Sequence, residues 1–354
     1  DDQGFLGIAG LAYGDKDPNR VYLLAGTSYL SGGRTALFIS NDYGSTFTRT
    51  ELTDYIKVDG NGMGRGNGER LAVDPKNSDI VYAAGMSSGG LIKSTDGGQT
   101  FSYLDLGTDT NTNNNSGICS ILIDPQSGDD SSCSTIYAAI SRKGDYNLYK
   151  STDAGATWAP VEDAPKGLMV QRMKYNGDGK IVLTYASTEG PWNNPRGNGG
   201  IRLLNIADDS ITDITPEKNG YGDVVIDPAN PDRMVAVTEN VYDQQANGTF
   251  GDDFYVTTDG GKTWSVIWDA KNETRQSGYN QTGTVELAIP EQFKTANVQI
   301  AFHYYKTVAY GAGKVALDDV KLTAPGAAAS SDVTLTTSAS AGGTVTPAGS
   351  TTYA

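Results

Sequence analysis

Histidine is nearly missing from these 354 residues: there is one, His303. Paired histidines are therefore unavailable for a metal centre. A Ser-His-Asp triad would have to use His303 alone. That residue alternates with Phe302 and Tyr304 in VQIAFHYY and reads as a strand position. Cysteine is also scarce, with Cys119 and Cys133 only. They flank SILIDPQSGDDSS, read as a strand, a turn and the start of the next strand. A plain hairpin would hold them at opposite ends of its first strand, too far apart to bond; a long turn folding back would bring them together. The sequence leaves both open.

Positive charge is the third shortage. Lys and Arg number 27 against 42 Asp and Glu, a net charge of −15. Phosphate backbones need basic patches, so a nucleic-acid partner is excluded, and an anionic membrane surface with it. A neutral polysaccharide suits this charge. No apolar run of the roughly 18 residues that span a bilayer occurs, so no membrane span is encoded. Runs of Leu, Ala, Glu and Lys at helical spacing are absent too. No cofactor or metal is expected.

What the chain has in quantity is glycine, 44 residues, with abundant Asn, Asp, Ser and Thr, and 20 tyrosines. That is the composition of many short strands joined by turns. Two patterns repeat. One is S/T-x-D-x-G-x-T-aromatic: SNDYGSTF at 40–47, STDGGQTF at 94–101, STDAGATW at 151–158 and TTDGGKTW at 257–264. The other is an apolar strand, an Asp-Pro turn and a second apolar strand, starting at Leu11, Leu71, Ile121 and Val224, with a degenerate copy at Met173. The starts lie about 50–60 residues apart, and IRLLNIADDSITDI at 201–214 supplies a hairpin whose box has decayed. Each period holds four strands. A repeat of this length with four antiparallel strands is a β-propeller blade. The fold class is therefore all-β, with about five blades of a truncated seven-bladed propeller. A β-sandwich with repetitive turns is the alternative, but it does not demand so regular a period.

The box falls between the third and fourth strands. Asp in a turn accepts hydrogen bonds from nearby N–H groups and from the Ser or Thr. Gly44, Gly98, Gly155 and Gly261 permit backbone angles that a side chain would forbid. Phe47, Phe101, Trp158 and Trp264 open the fourth strand and are placed to pack between blades. Asp42, Asp96, Asp153 and Asp259 are thus structural and not catalytic. Box turns and Asp-Pro turns share one face of the propeller. The opposite face carries irregular segments at 27–34, 53–70, 187–200 and 240–253. Binding belongs on irregular loops set on a rigid frame. Trp192, beside Gly190 and Pro191, reads either as a sugar platform or as local packing. Tyr29, Tyr55, Tyr221 and Tyr242 lie on the same face. Arg65, Glu69 and Arg70 suit hydrogen bonding to sugar hydroxyls or a structural ion pair.

In order along the chain, DPNRVYLLAGT (17–27), MGRGNGERLAVDPKNSDIVY (63–82), GLIKSTDGGQTF (90–101) and TYASTEGPWN (184–193) resemble the N-terminal propeller of family 74 glycoside hydrolases, the xyloglucanases. The likeness covers roughly residues 5–265, and GRGNGERLAVDP is its most specific part. It implies two seven-bladed propellers facing each other across a cleft, and inverting hydrolysis of the β-1,4-glucan backbone of xyloglucan by two Asp residues. It further implies that the base lies in a Thr-Asp-x-Gly-Gly segment before Asp1 and the acid in a second propeller. Thr95-Asp96-Gly97-Gly98 carries similar letters but sits in a box, so no catalytic residue is assigned. The chain begins DDQGFLG without Met, which reads as a processed or truncated piece of a larger secreted or cell-surface protein.

The expected domains are a propeller over 1–265, a partial jelly-roll over 266–325 that would alternatively begin near 250, and a linker with the start of an extracellular repeat over 326–354. The fourth box fits either the fifth blade or the jelly-roll. Asp318 and Asp319 in ALDDVKL read as a solvated strand end, or as calcium ligands. Three functions compete: a hydrolase fragment acting on xyloglucan, a non-catalytic glycan-binding module of a surface protein, and an architectural repeat. Other domains of a larger parent chain are expected partners.

Overall fold

The computed structural model describes residues 5, 7–26, 33–60, 62–86, 90–189, 198–238, 253–269, 333–337 and 349–353. The chain divides into two compact units, Asp1–Pro290 and Glu291–Ala354. In the second, strands Val333–Thr337 and Gly349–Tyr353 pair as an antiparallel hairpin. The expected jelly-roll segment, with His303, Asp318 and Asp319, lies outside the described residues apart from its first few positions.

The first unit holds five four-stranded antiparallel sheets, each built from four consecutive strands. Blade I is β1 (Gly7–Tyr13), β2 (Val21–Gly26), β3 (Thr35–Ser40) and β4 (Thr48–Glu51). Blade II is β5 (Leu71–Asp74), β6 (Asn77–Ala84), β7 (Leu91–Ser94) and β8 (Ser102–Leu104). Blade III is β9 (Ile118–Ile123), β10 (Ile136–Ile140), β11 (Leu148–Ser151) and β12 (Ala159–Pro160). Blade IV is β13 (Met169–Tyr175), β14 (Lys180–Ala186), β15 (Gly199–Asn205) and β16 (Ile211–Asp213). Blade V is β17 (Tyr221–Ile226), β18 (Met234–Thr238), β19 (Asp253–Thr257) and β20 (Ser265–Asp269). The first strands pack in series, β1 on β5, β5 on β9, β9 on β13 and β13 on β17. They are therefore the inner strands, and the fourth strands form the outer edge. This is the expected β-propeller. The fourth box joins β19 to β20, which assigns it to blade V.

Blades stacked face to face bury both sides of their middle strands, so these read as near-continuous apolar runs. In β10 all five residues are buried. Ile136, Ala138 and Ile140 pack toward blade II with Tyr82, Leu91 and Leu106. Tyr137 and Ala139 between them pack toward blade IV with Val170, Leu183 and Tyr185. The same alternation separates the cysteines: Cys119 faces blade IV and Cys133 faces blade II. Both are buried free thiols. The long turn does not bring them together, because they belong to opposite faces of one sheet.

Each box turn closes on itself. In blade II the Ser94 hydroxyl donates to Asp96 Oδ1 at 2.7 Å and accepts from Gly98 N at 2.9 Å. Asp96 in turn accepts from Thr100 N at 2.9 Å and the Thr100 hydroxyl at 2.6 Å. Asp42, Asp153 and Asp259 repeat these bonds. Stabilising the ionised form in this way lowers a carboxyl pKa. For Asp96 the Thr100 hydroxyl contributes most, and all four box carboxyls are held at about 2.

In blades II, III and V the closed turn then presents its glycine to the blade before it. A Cβ on Gly98 would lie 2.6 Å from Leu37 Cδ2, one on Gly155 2.7 Å from Leu104 Cδ1, and one on Gly261 2.9 Å from Ile214 Cβ. Buried tyrosines of the second strands return the contact. Tyr22 donates to Ser78 O at 2.7 Å, Tyr82 to Ala154 O at 3.3 Å and Tyr137 to Asp209 Oδ1 at 3.3 Å. Burial raises all three phenol pKa values. Asp209 lies in the decayed box of blade IV. It also takes the Lys150 ammonium at 2.7 Å, so this turn keeps its role as a dock for the preceding blade.

The Asp96 carboxyl titrates lower in the folded chain than the ordinary value near 3.9. Its stabilisation is therefore complete above about pH 4 and is lost as pH falls through about 2. Asp96→Ala should melt below the wild type at pH 6, and the gap should narrow between pH 4 and pH 2 in parallel thermal scans.

Candidate functional site

The irregular face is organised by the crossing from blade I to blade II, residues 52–70. Leu52 N donates to Thr35 O at 2.8 Å, and Ile56 N to Leu52 O at 3.0 Å, a tight turn that seats Leu52, Ile56 and Val58 in the core. The chain then runs over the neighbouring inner strands. Gly68 N donates to Gln171 O of β13 at 3.1 Å, Ser120 Oγ of β9 to Gly68 O at 2.7 Å, and Ile121 N to Glu69 O at 2.7 Å. A segment from blade II is thus pinned across blades III and IV.

Arg70 anchors it from beneath. Its guanidinium, fully buried, donates to Ser116 O at 2.9 Å, to Gly64 O and Ser116 Oγ at 3.2 Å, and to Ile118 O. No carboxylate faces it among these partners, and burial lowers its pKa to about 10. Glu69 points the other way and is exposed. It pairs with Arg172 at 2.6 Å, and Arg172 also donates to Gly66 O at 3.1 Å. Asp223 of β17 continues the line, 3.9 Å from Arg172 and 2.9 Å from Lys174. Separately, Asn114 Nδ2 donates to Ser141 O at 3.1 Å and Glu189 Oε2 at 3.3 Å. The result is a polar rim of carboxylates, a guanidinium and an amide over blades II to V, chemistry that suits hydroxyl groups.

Arg65 donates to Gly62 O at 3.2 Å within its own turn. Tyr55 is half-buried, its ring 5.7 Å from Tyr103 and 6.5 Å from Phe101. Arg70 and Tyr221 are withdrawn from solvent and offer no surface to a ligand. Tyr221 donates to Glu217 O at 2.8 Å, and its ring lies 6.2 Å from Tyr255. Tyr29, Trp192 and Tyr242 lie outside the described residues. The structure brings Glu69 together with Arg172 and Asp223, and separately Asn114 with Glu189; of these only Glu69 stands out in the sequence. Among the described residues, no group of three or more His, Cys, Asp or Glu is arranged to hold a metal.

Residues 255–266 match the BNR/Asp-box repeat model. The chain is 32% identical over 290 residues to a xyloglucanase of Acetivibrio thermocellus, covering 76% of this chain and 33% of that protein. Among solved structures, the family 74 enzyme of Niastella koreensis is 38% identical with a TM-score of 0.69, over 75% of this chain and 38% of that one. The family 74 xyloglucanase of Xanthomonas campestris is 30% identical with a TM-score of 0.64, over 75% and 39%. The propeller resembles that of the family 74 xyloglucanases. The chain spans about a third of the length of the curated relatives it matches. In the motif at 63–82, Arg70 fixes the crossing and Glu69 faces solvent.

These roles separate by measurement. Arg70→Met leaves three backbone carbonyls without their donor and should lower stability by about 2–4 kcal/mol. Glu69→Gln breaks a half-exposed pair and should cost less than about 1 kcal/mol. Urea denaturation of the two variants compares them directly.

Proposed function

We propose that this chain is the propeller part of a secreted or cell-surface glycoside hydrolase of the xyloglucanase type, and that its irregular face binds xyloglucan or a related neutral β-glucan. The observation that carries this reading is the identity with xyloglucanases over three quarters of the chain. The geometry supports it. The box rim is occupied by turns whose polar groups satisfy one another, whereas the opposite rim presents Glu69, Arg172, Asn114 and Glu189 on a pinned backbone. A net charge of −15 suits an uncharged polymer. No helix among the described residues is long and apolar enough to cross a membrane.

Inverting hydrolysis needs two carboxyl groups about 6.5–9.5 Å apart across the scissile bond. Glu69 and Asp223 are each held by a cation, and the box carboxyls lie on the other rim. We therefore assign no catalytic role to these described carboxyls; the reaction would draw on groups elsewhere in a larger parent. The same ion pairing favours a second reading, a non-catalytic glycan-binding module.

Titration calorimetry with xyloglucan oligosaccharides tests the binding. Heat should be released with little dependence on salt, because a neutral sugar offers no charge to screen. Trp192→Ala should weaken binding by about 1–3 kcal/mol if its ring stacks on the glycan. No heat with any neutral glucan would overturn the proposal, and release of reducing sugar by this chain alone would overturn its catalytic half.

A further inference from the structure

Tyr103 is 56% exposed, yet its ring is fixed. Its hydroxyl donates to Tyr55 O at 2.6 Å and to Asp54 O at 3.2 Å, which ties β8 of blade II to the turn that begins the crossing at Leu52. The Tyr55 ring packs against it at 5.7 Å, with the planes 40° apart. On another side lies Gly90, whose φ of +121° belongs to the glycine region. A Cβ there would lie 3.6 Å from Tyr103 Cε1, at ordinary van der Waals contact with the ring.

The blade does not require this tyrosine. The position two residues after the box aromatic is Arg49 in blade I, Pro160 in blade III and Val266 in blade V. An aromatic ring appears there only in blade II among the described boxes, and it is the one tethered to the crossing. Its hydroxyl is already spent on backbone carbonyls, so what it offers outward is the ring. Asp54 and Lys57, in the same turn, are both exposed and supply an acceptor and donors to this part of the surface. A rigid apolar ring flanked by hydrogen-bonding groups matches a pyranose, which has an apolar face of C–H bonds rimmed by hydroxyls. Stacking on a ring already immobilised avoids most of the ordering entropy of binding.

We propose that Tyr103, with Tyr55 beneath it, is a glycan-stacking platform at the junction of blades I and II, a second contact for the same neutral β-glucan. The inference rests on the glucan-binding reading above. Calorimetry with a xyloglucan oligosaccharide, on wild type, Tyr103→Ala and Tyr103→Phe, tests it, with melting temperatures to confirm folding. Tyr103→Ala should bind about fivefold to tenfold more weakly, the worth of one aromatic contact. Tyr103→Phe keeps the ring and loses the tether, and should stay within about twofold of wild type. Hydroxyl-radical footprinting of the wild type should show Tyr103 protected by the sugar. Wild-type affinity in a folded Tyr103→Ala, or an equal loss in both variants, would overturn the platform and leave glucan binding standing. Absence of binding in the wild type would overturn both.

Discussion

In blades II, III and V a box glycine held against apolar side chains of the preceding blade joins each blade to the one before it. The approach is closer than any side chain would allow, so the turn carrying that glycine must be rigid. Rigidity comes from the Ser or Thr, Asp and Thr of the box, whose hydroxyls, carboxylate and N–H groups bond among themselves. This explains why the Asp recurs at every such turn yet does no chemistry. Its lone pairs are occupied, its proton is lost far below neutrality, and its place is set by the blade next door. Blade IV shows how much of the device is dispensable. Its box has decayed, but Asp209 still receives Lys150 and Tyr137 from blade III.

The two rims of the propeller follow from this. Turns that satisfy themselves and dock a neighbour have little left to offer a ligand. The crossing over 52–70 is free of that duty. It is held instead by a few long-range bonds, such as Gly68 to Gln171 and Arg70 to Ser116. Those bonds fix the backbone while leaving Glu69 outward. Rigidity without self-satisfaction is what a binding surface needs, since groups already ordered lose less entropy on meeting a ligand.

Much of the frame was legible from the sequence because its cause is local. The box bonds span four residues, and the blade period is set by strands that pair with their immediate successors. The decayed fourth repeat could be placed by spacing alone. The site was legible only in part, because its bonds are not local. Glu69 meets Arg172 across 103 positions, and nothing in the spacing pairs them. Arg70 stands beside Glu69 in one motif, yet one is buried and the other exposed. That division depends on which strand the segment crosses. Tyr221 was placed on the loop face by topology, but its ring turns into the blade IV–V interface, where Tyr255 receives it. Tyr103 sits just past a box, where the repeat gives it no distinction; its bond to the preceding crossing does.

The dependence of the fold on the box glycine can be isolated by comparing two positions with one backbone geometry. Gly98 and Gly44 have φ values of +82° and +83°. A Cβ on Gly98 would meet Leu37 at 2.6 Å, whereas one on Gly44 would meet nothing nearer than Phe47 at 3.7 Å. Backbone strain is therefore common to Gly98→Ala and Gly44→Ala, and the contact with the preceding blade is not. Equilibrium denaturation should find Gly98→Ala the less stable by about 1–2 kcal/mol, the usual penalty of overfilling a packed interface. Equal losses in the two variants would contradict the claim that this contact holds blade to blade.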